Sequence, residues 1–314
     1  MEFDALTVYS NGRYCRYDEA RFGLMTHAFQ YGTSCFEGIR GFWSGEESTL
    51  FLFRLEPHME RLQTSAKILQ IALPADVAGL CDIVEELCAR NGFREDVHVR
   101  PFAYKATESV GVRLHGLQDG FAMVAIPYSS YFDANNGLKT CVSSWRRIDD
   151  AIAPARAKIN GVYINSALAK SEALQNGFDE AIMLSQDGHV AEGSAENIFL
   201  VRDGALLTPD VSCNILEGIT RDTIMLLARR ELGIDVVERA IDRSELYAAD
   251  EVFLTGSAAG IAWVKSVDHR VAGNGTIGPI TAQLAAMYEA IIRGREPRYR
   301  SWLRATESRA MVKG

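Results

Sequence analysis

A chain of 314 residues is long enough for two domains of ordinary size, and 47% hydrophobic with 24% charged residues is a globular balance. The formal net charge of −8, without a basic run, argues against nucleic acid as a partner, and no apolar stretch is long enough to span a membrane. Six scattered cysteines without Cys-x-x-Cys spacing point to reduced thiols in a cytoplasmic protein rather than disulfides or a zinc site, the six histidines are equally dispersed, and Met1–Asp4 does not resemble a secretion signal.

Asn11-Gly12 separates Leu6–Ser10 from Arg13–Tyr17 and predicts a type I′ hairpin. The stretch His27–Arg40, rich in aromatic and small residues, reads as a strand or loop near a cavity. Thr49–Phe53 is strand-like, and Glu56-Pro57 starts a helix running to about Leu69. Arg61 on that helix could reach a phosphate, although its spacing alone reads as a solvated helix-face arginine. A second helix covers Val77–Asn91, stopped by Gly92, with Cys81, Val84 and Cys88 on one face. In strand-like Val97–Phe102, His98 and Arg100 share a side by period-two alternation. A loop at 107–116 carries Arg113 and His115, and Phe121–Pro127 is a third apolar strand. The polar, turn-rich stretch that follows predicts a division into domains 1–128 and 138–314 with a linker at 129–137.

After strand-like Leu138–Ile148 comes Ala155-Arg156-Ala157-Lys158-Ile159-Asn160-Gly161-Val162-Tyr163, mostly small or apolar, with one lysine. Most lysines are surface residues, but one that loses water favours its neutral form and becomes a nucleophile toward a carbonyl. A helix over 165–176 is expected to bury Ile164, Ala167, Leu168, Ser171 and Leu174, which leaves Lys170 solvated. Asp187-Gly188 and Asp203-Gly204 each join two apolar runs, a hairpin signal. Glu192 therefore stands where a strand ends against Gly193, either as an exposed turn acid or as a carboxylate for a cofactor's ring nitrogen. Gly218-Ile219-Thr220 opens a helix to about Leu232, and its first amides can take an anion. Strand Val252–Leu254 leads into Thr255-Gly256-Ser257-Ala258-Ala259-Gly260, a tight turn rich in donors, and Pro279–Arg293 is a terminal helix before a charged tail. A lysine, an acid, a glycine-led helix start and a small-residue turn are the parts a pyridoxal phosphate pocket needs.

In this order, the stretches Tyr31–Arg40, His58–Leu62, Arg100-Pro101, Ala157-Lys158, Glu192–Asn197, Gly218–Arg221 and Ala249–Phe253 with the Thr255–Ala259 turn resemble the fold-type IV pyridoxal-phosphate enzymes, most closely the branched-chain amino acid aminotransferases. The ordered set spans almost the whole chain. The resemblance implies an α/β (α+β) fold with a small α/β domain and a larger domain built on a β-barrel-like core. It implies a transaminase acting between a hydrophobic, branched-chain L-amino acid and 2-oxoglutarate. Lys158 would hold the cofactor and carry the proton. Glu192 would pair with the pyridine nitrogen, which lets the ring absorb electrons. Arg61, Ile219, Thr220 and Ser257 would bind the phosphate, Tyr163 the ring oxygen, and Leu216 the ring face. Phe36, Arg40, His98, Arg100, Tyr128, Tyr131, Ala258 and Ala259 would line the substrate pocket. Tyr31 and the loop near Val112 would enter a neighbouring subunit's pocket, implying a homodimer or a higher homo-oligomer. Two departures stand out. His98 replaces the tyrosine usual in Tyr-x-Arg-Pro, and Gly260 follows Ala258-Ala259 where a glutamate is usual. Together with Trp263, shortly after that turn, they motivate an alternative within the same fold type: an amine or D-amino acid transaminase, an aminodeoxychorismate-lyase-like enzyme, or a pathway-specific aminotransferase.

Overall fold

The computed structural model describes residues 3–129 and 136–306, which fall into two compact units. The first holds the chain up to Ser129, Ala157–Gly161 and the chain from Ala290; the second holds the stretch ending at Arg156 and Val162–Glu289. This differs from the division at 129–137 in two segments, and each has a pairing that explains it. At the lysine segment, the Phe36 amide donates to the Lys158 carbonyl at 3.0 Å and Cys35 bridges to Ile159. At the end of the chain, Leu303–Thr306 forms an antiparallel edge strand along Phe53–Leu50. Most of the expected linker, residues 130–135 with Tyr131, lies outside the described residues.

The first unit comprises β1 (Thr7–Ser10), β2 (Arg13–Arg16), α1 (His27–Tyr31), β3 (Ser34–Phe36), β4 (Ile39–Ser44), β5 (Thr49–Phe53), α2 (Leu55–Ile68), α3 (Val77–Asn91), β6 (Val97–Lys105) and β7 (Asp119–Pro127). Its antiparallel sheet runs from the terminal strand through β5, β4, β6, β7 and β1 to β2, with β3 also on β6. Asn11 and Gly12 both have positive φ, which gives the predicted I′ turn. The Asp76 side chain caps α3 by accepting from Gly79 N at 2.9 Å, and Gly92 ends the helix at φ 61°. Leu55, Met59 and Leu62 of α2 and Leu80, Cys81, Val84 and Cys88 of α3 are buried at helical spacing. The stretch read as strand or loop opens with α1, whose buried His27 ring bonds Thr33 Oγ1 at 2.8 Å and Gly111 O at 2.9 Å.

The second unit comprises β8 (Leu138–Arg146), α4 (Tyr163–Gln175), β9 (Glu180–Leu184), β10 (Val190–Gly193), β11 (Asn197–Arg202), β12 (Ala205–Thr208), α5 (Ile219–Glu231), β13 (Val236–Glu238), α6 (Glu245–Ala248), β14 (Glu251–Gly256), β15 (Gly260–Val267) and β16 (Arg270–Val271). The strand order is β10-β9-β8-β15-β14-β11-β12-β13, with β16 on β15; β8 is parallel to both its neighbours. β10 also packs against β11, so the sheet curls back toward its own end and forms the expected barrel-like core. Alternate residues fill that core, among them Ile182 and Leu184, Ile198 and Leu200, Val252 and Leu254.

The orientation of α4 overturns an expectation. Ile164, Ala167, Leu168, Ser171 and Leu174 are exposed, and the buried line is Ser166, Ala169 and Ala173. Ala169 and Ala173 pack with Cys141, Ala181 and Met183, so small side chains let the helix approach β8 and β9 closely. Lys170 is not solvated as expected: its Nζ pairs with the fully buried Glu180 at 2.6 Å. Among the described residues no helix is long and apolar enough to cross a membrane.

Candidate active site

The lysine segment is laid along the edge of β3. Lys158 N donates to Ser65 Oγ at 3.0 Å, while its carbonyl receives the Phe36 amide. Two glycines permit the approach. A Cβ on Gly32, at φ 66°, would stand 2.7 Å from Gly161 Cα, and Gly161 N donates to Gly32 O at 3.3 Å. Lys158 Nζ then lies 4.8 Å from the Phe36 ring centroid, and the Arg100 guanidinium lies 4.4 Å from the same centroid. The structure thus brings Phe36, Arg100 and Lys158 together.

Arg61 is not the solvated arginine its spacing suggests. Its Nε and Nη2 reach the two oxygens of Glu37 at 2.7 and 2.8 Å, and Glu37 is fully buried. His58 Nδ1 lies 2.7 Å from Glu37 Oε2; a carboxylate only accepts, so that nitrogen carries the hydrogen. Burial pushes the Glu37 carboxyl up, but the Arg61 charge and the hydrogen bonds from Arg61 and His58 outweigh it and hold it well below the ordinary range.

Register places Arg40 of β4 opposite His98 of β6. Arg40 donates to Tyr128 O at 3.0 Å and Val97 O at 3.2 Å, and its guanidinium lies 4.9 Å from the Tyr128 ring centroid, so it fixes Tyr128. His98 is 8% exposed, and among the described residues neither ring nitrogen has a hydrogen-bond partner. Gly38 makes room for it, since a Cβ there would stand 3.0 Å from His98 Cε1. Burial, then the charges of Arg100, Arg40 and Lys158, push the imidazole down to about 3. The unfolded chain takes up that proton from about pH 6.5 downward, and the folded chain does not until about pH 3. Stability is therefore expected to fall as pH drops through that window, by up to about 1.4 kcal/mol per unit. His58, also lowered by burial, adds in the same sense. Urea midpoints between about pH 7.5 and 5.5 should fall less steeply for His98→Phe than for the natural chain, and equal slopes would contradict the neutral imidazole.

In the second unit Glu192 is the next-to-last residue of β10. Arg147 Nε lies 2.7 Å from its Oε1, while Leu216 N and Asn197 Nδ2 donate to Oε2 at 3.0 and 3.1 Å. Three donors from separate segments fix this carboxylate, which is 7% exposed and not a turn acid in water. Asn197 also donates to Leu216 O at 2.9 Å, tying in the turn before α5. α5 starts at Gly218 with no side-chain cap, and a Cβ on Gly218 would lie 1.9 Å from Asn197 Oδ1, so glycine is required. Its first amides, at Ile219 and Thr220, therefore carry no capping side chain. Asn197 of β11 stands opposite Thr255 of β14, whose buried Oγ1 has no partner among the described residues. Ser257, Ala258 and Ala259 turn from β14 to β15, and Tyr163 is the first residue of α4.

The Tyr31 hydroxyl accepts from Gly111 N at 3.1 Å. Glu37, His58, Ser65, Arg147 and Asn197 were not singled out by sequence reasoning. The signal for Glu37 was an acid inside the apolar run Cys35–Ile39, and the signal for Asn197 was its place two residues after the Gly193-Ser194-Ala195 turn. Arg147 carried none. Among the described residues no cluster of three His, Cys, Asp or Glu could hold a metal ion.

Comparison with known proteins bears on this arrangement. Residues 34–267 match the family model of class IV amino-transferases. The chain is 45% identical over 296 residues, 94% of its length and 95% of the relative's, to a probable branched-chain-amino-acid aminotransferase of Aquifex aeolicus. It is similar to the crystal structure of a branched-chain aminotransferase from Thermoproteus uzoniensis with norvaline, with a TM-score of 0.92, 43% identity, and coverage of 96% of this chain and 99% of that one. It is likewise similar to the T.th. branched-chain amino acid aminotransferase complexed with N-(5'-phosphopyridoxyl)-L-glutamate, with a TM-score of 0.92, 37% identity, and coverage of 98% and 100%.

Proposed function

The chain belongs to the class IV aminotransferases, and from that premise we propose that it is a pyridoxal-phosphate-dependent transaminase moving the amino group of a branched-chain L-amino acid to 2-oxoglutarate. The carrying observation is Lys158, fixed through both backbone groups and set over the Phe36 ring beside Arg100. The donor set fits the cofactor. Lys158 suits its aldehyde, the oriented Glu192 carboxylate its ring nitrogen, and the uncapped α5 start and the Thr255 hydroxyl, without a partner among the described residues, its phosphate end. The norvaline and phosphopyridoxyl-glutamate complexes of the relatives support the substrate pair.

When bound, pyridoxal phosphate supplies an electron sink for negative charge at the substrate α-carbon. Lys158 holds the cofactor and moves the α-proton. Glu192, steadied by Arg147, Asn197 and Leu216 N, would pair with the ring nitrogen. Arg61, kept in place by Glu37, would bind the phosphate, as would the amides at Ile219 and Thr220, the Thr220 hydroxyl and Ser257. Tyr163 would bond the ring oxygen and Leu216 would pack on the ring face. Phe36, Arg40, His98, Arg100, Tyr128, Ala258 and Ala259 would shape the substrate pocket, as would Tyr131, which lies outside the described residues.

A second copy completes the enzyme as a homodimer. Leu24, Phe29, Val110 and Val112 are large apolar residues left exposed, Val112 by 86%, and Met25 O to Ser109 N and Tyr31 to Gly111 tie their two segments together. Six free thiols suit the cytoplasm. Purified holoenzyme given L-leucine and 2-oxoglutarate should form glutamate. Turnover confined to amines or D-amino acids would move the function to another chemistry of this family.

A further inference from the structure

The second unit buries more acids than cations around Glu192. Glu180 of β9, fully buried, takes Lys170 of α4 at 2.6 Å, and Glu192 of β10 takes Arg147 at 2.7 Å. Glu196, in the turn between β10 and β11, is 5% exposed, and the hydrogen bond its side chain accepts comes from the neighbouring Ala195 amide at 3.1 Å. Among the described residues no cation pairs with it. The charged groups facing it are Glu180, Lys170 and Glu192; from β14 comes Gly256, whose Cβ position lies 3.6 Å from Glu196 Cγ and brings no charge. Three buried carboxylates share the buried Arg147 and the half-buried Lys170, so one of the three is surplus.

We propose that Glu196 is the surplus acid of this cluster and acts on the cofactor ring through Glu192. In its neutral form it leaves Glu192 as the one charge matched to the ring nitrogen, and in its ionised form it adds a second negative charge behind that carboxylate. Glu196 is thus a positioning residue, and the inference rests on the role proposed for Glu192. The electrostatics agree with the count of charges. Burial first, then Glu180, push the Glu196 carboxyl up to about 8, against the Ala195 amide and Lys170. Glu180 and Glu192 each have a cation at salt-bridge distance. When Glu196 ionises, the added negative charge makes the ring nitrogen hold its proton more tightly.

The test joins an infrared readout of the protein with a nitrogen readout of the ring. Ordinary glutamates ionise near pH 4.3, so a protonated-carboxyl band at about pH 6.5 marks a perturbed acid. The natural chain should show that band and lose it with a midpoint near pH 8, and Glu196→Gln should lack it. Glu85 is also raised by burial, and subtracting the variant's spectrum removes its contribution. In holoenzyme carrying 15N-labelled pyridoxal phosphate, the ring-nitrogen resonance should shift in the same titration, and the shift should vanish in Glu196→Gln. Natural protein without a band that titrates near pH 8 would overturn the proposal, and that measurement needs no variant to fold. A band retained in Glu196→Gln would also overturn it. A band lost in the variant with the nitrogen shift unchanged would show that the proton does not act on the ring, which overturns the positioning role. Protein that takes up no cofactor would overturn the functional reading and the ring half with it, while the carboxyl band still decides whether Glu196 is the surplus acid.

Discussion

Lys158→Ala is expected to abolish amino transfer, with turnover down by at least about a thousandfold, while the fold persists. The backbone of Lys158 is what ties its segment to β3: its N–H meets Ser65 Oγ and its carbonyl meets the Phe36 amide, and alanine keeps both. The substitution removes only the amine over the Phe36 ring. In the proposed function that amine would both hold the cofactor and carry the proton, so one change would remove both. Steady-state rates with L-leucine, alongside circular dichroism to confirm folding, read the effect. A variant turning over at a near-natural rate would refute the assignment of Lys158.

Glu192→Gln is expected to slow the single-turnover reaction by about 10²–10³, the scale of one lost preorganised electrostatic contact, while some cofactor still binds. The carboxamide keeps the shape of the side chain but not its charge. Glu192→Ala goes further and leaves Arg147 Nε, Asn197 Nδ2 and Leu216 N without their shared acceptor. Arg147 is itself 7% exposed, so removing its partner should cost about 3–5 kcal/mol in urea unfolding. Unchanged single-turnover kinetics in the Gln variant would contradict the role at the ring nitrogen. An unchanged urea midpoint in the Ala variant would contradict the buried pair.

Local chemistry was legible where neighbouring residues set it. Asn11-Gly12 and Asp203-Gly204 turn their hairpins through positive φ, and Gly92 stops α3 the same way. Lys158 stood out because its stretch offers no other side-chain amine. Pairings across long separations were not legible. Arg61 looks solvated on a helical wheel because its acid, Glu37, is 24 residues away, and Arg147 meets Glu192 from across β9. The face of α4 was misread for a different reason. Hydrophobic size favoured Ile164, Leu168 and Leu174, whereas close approach to β8 and β9 requires Ala169 and Ala173. The parallel pairing of β8 with β15 joins residues more than a hundred apart, and no local signal marks it.

In the proposed function Lys158 and Glu192 would serve one cofactor in transferring amino groups from branched-chain amino acids. The most direct measurement is the visible spectrum of the purified protein loaded with pyridoxal phosphate, followed as L-leucine, L-isoleucine or L-valine and then a 2-oxo acid are added. A visible band that bleaches with the amino acid and returns with the 2-oxo acid is the predicted result. No visible band after loading, or a band indifferent to all three donors, would contradict it.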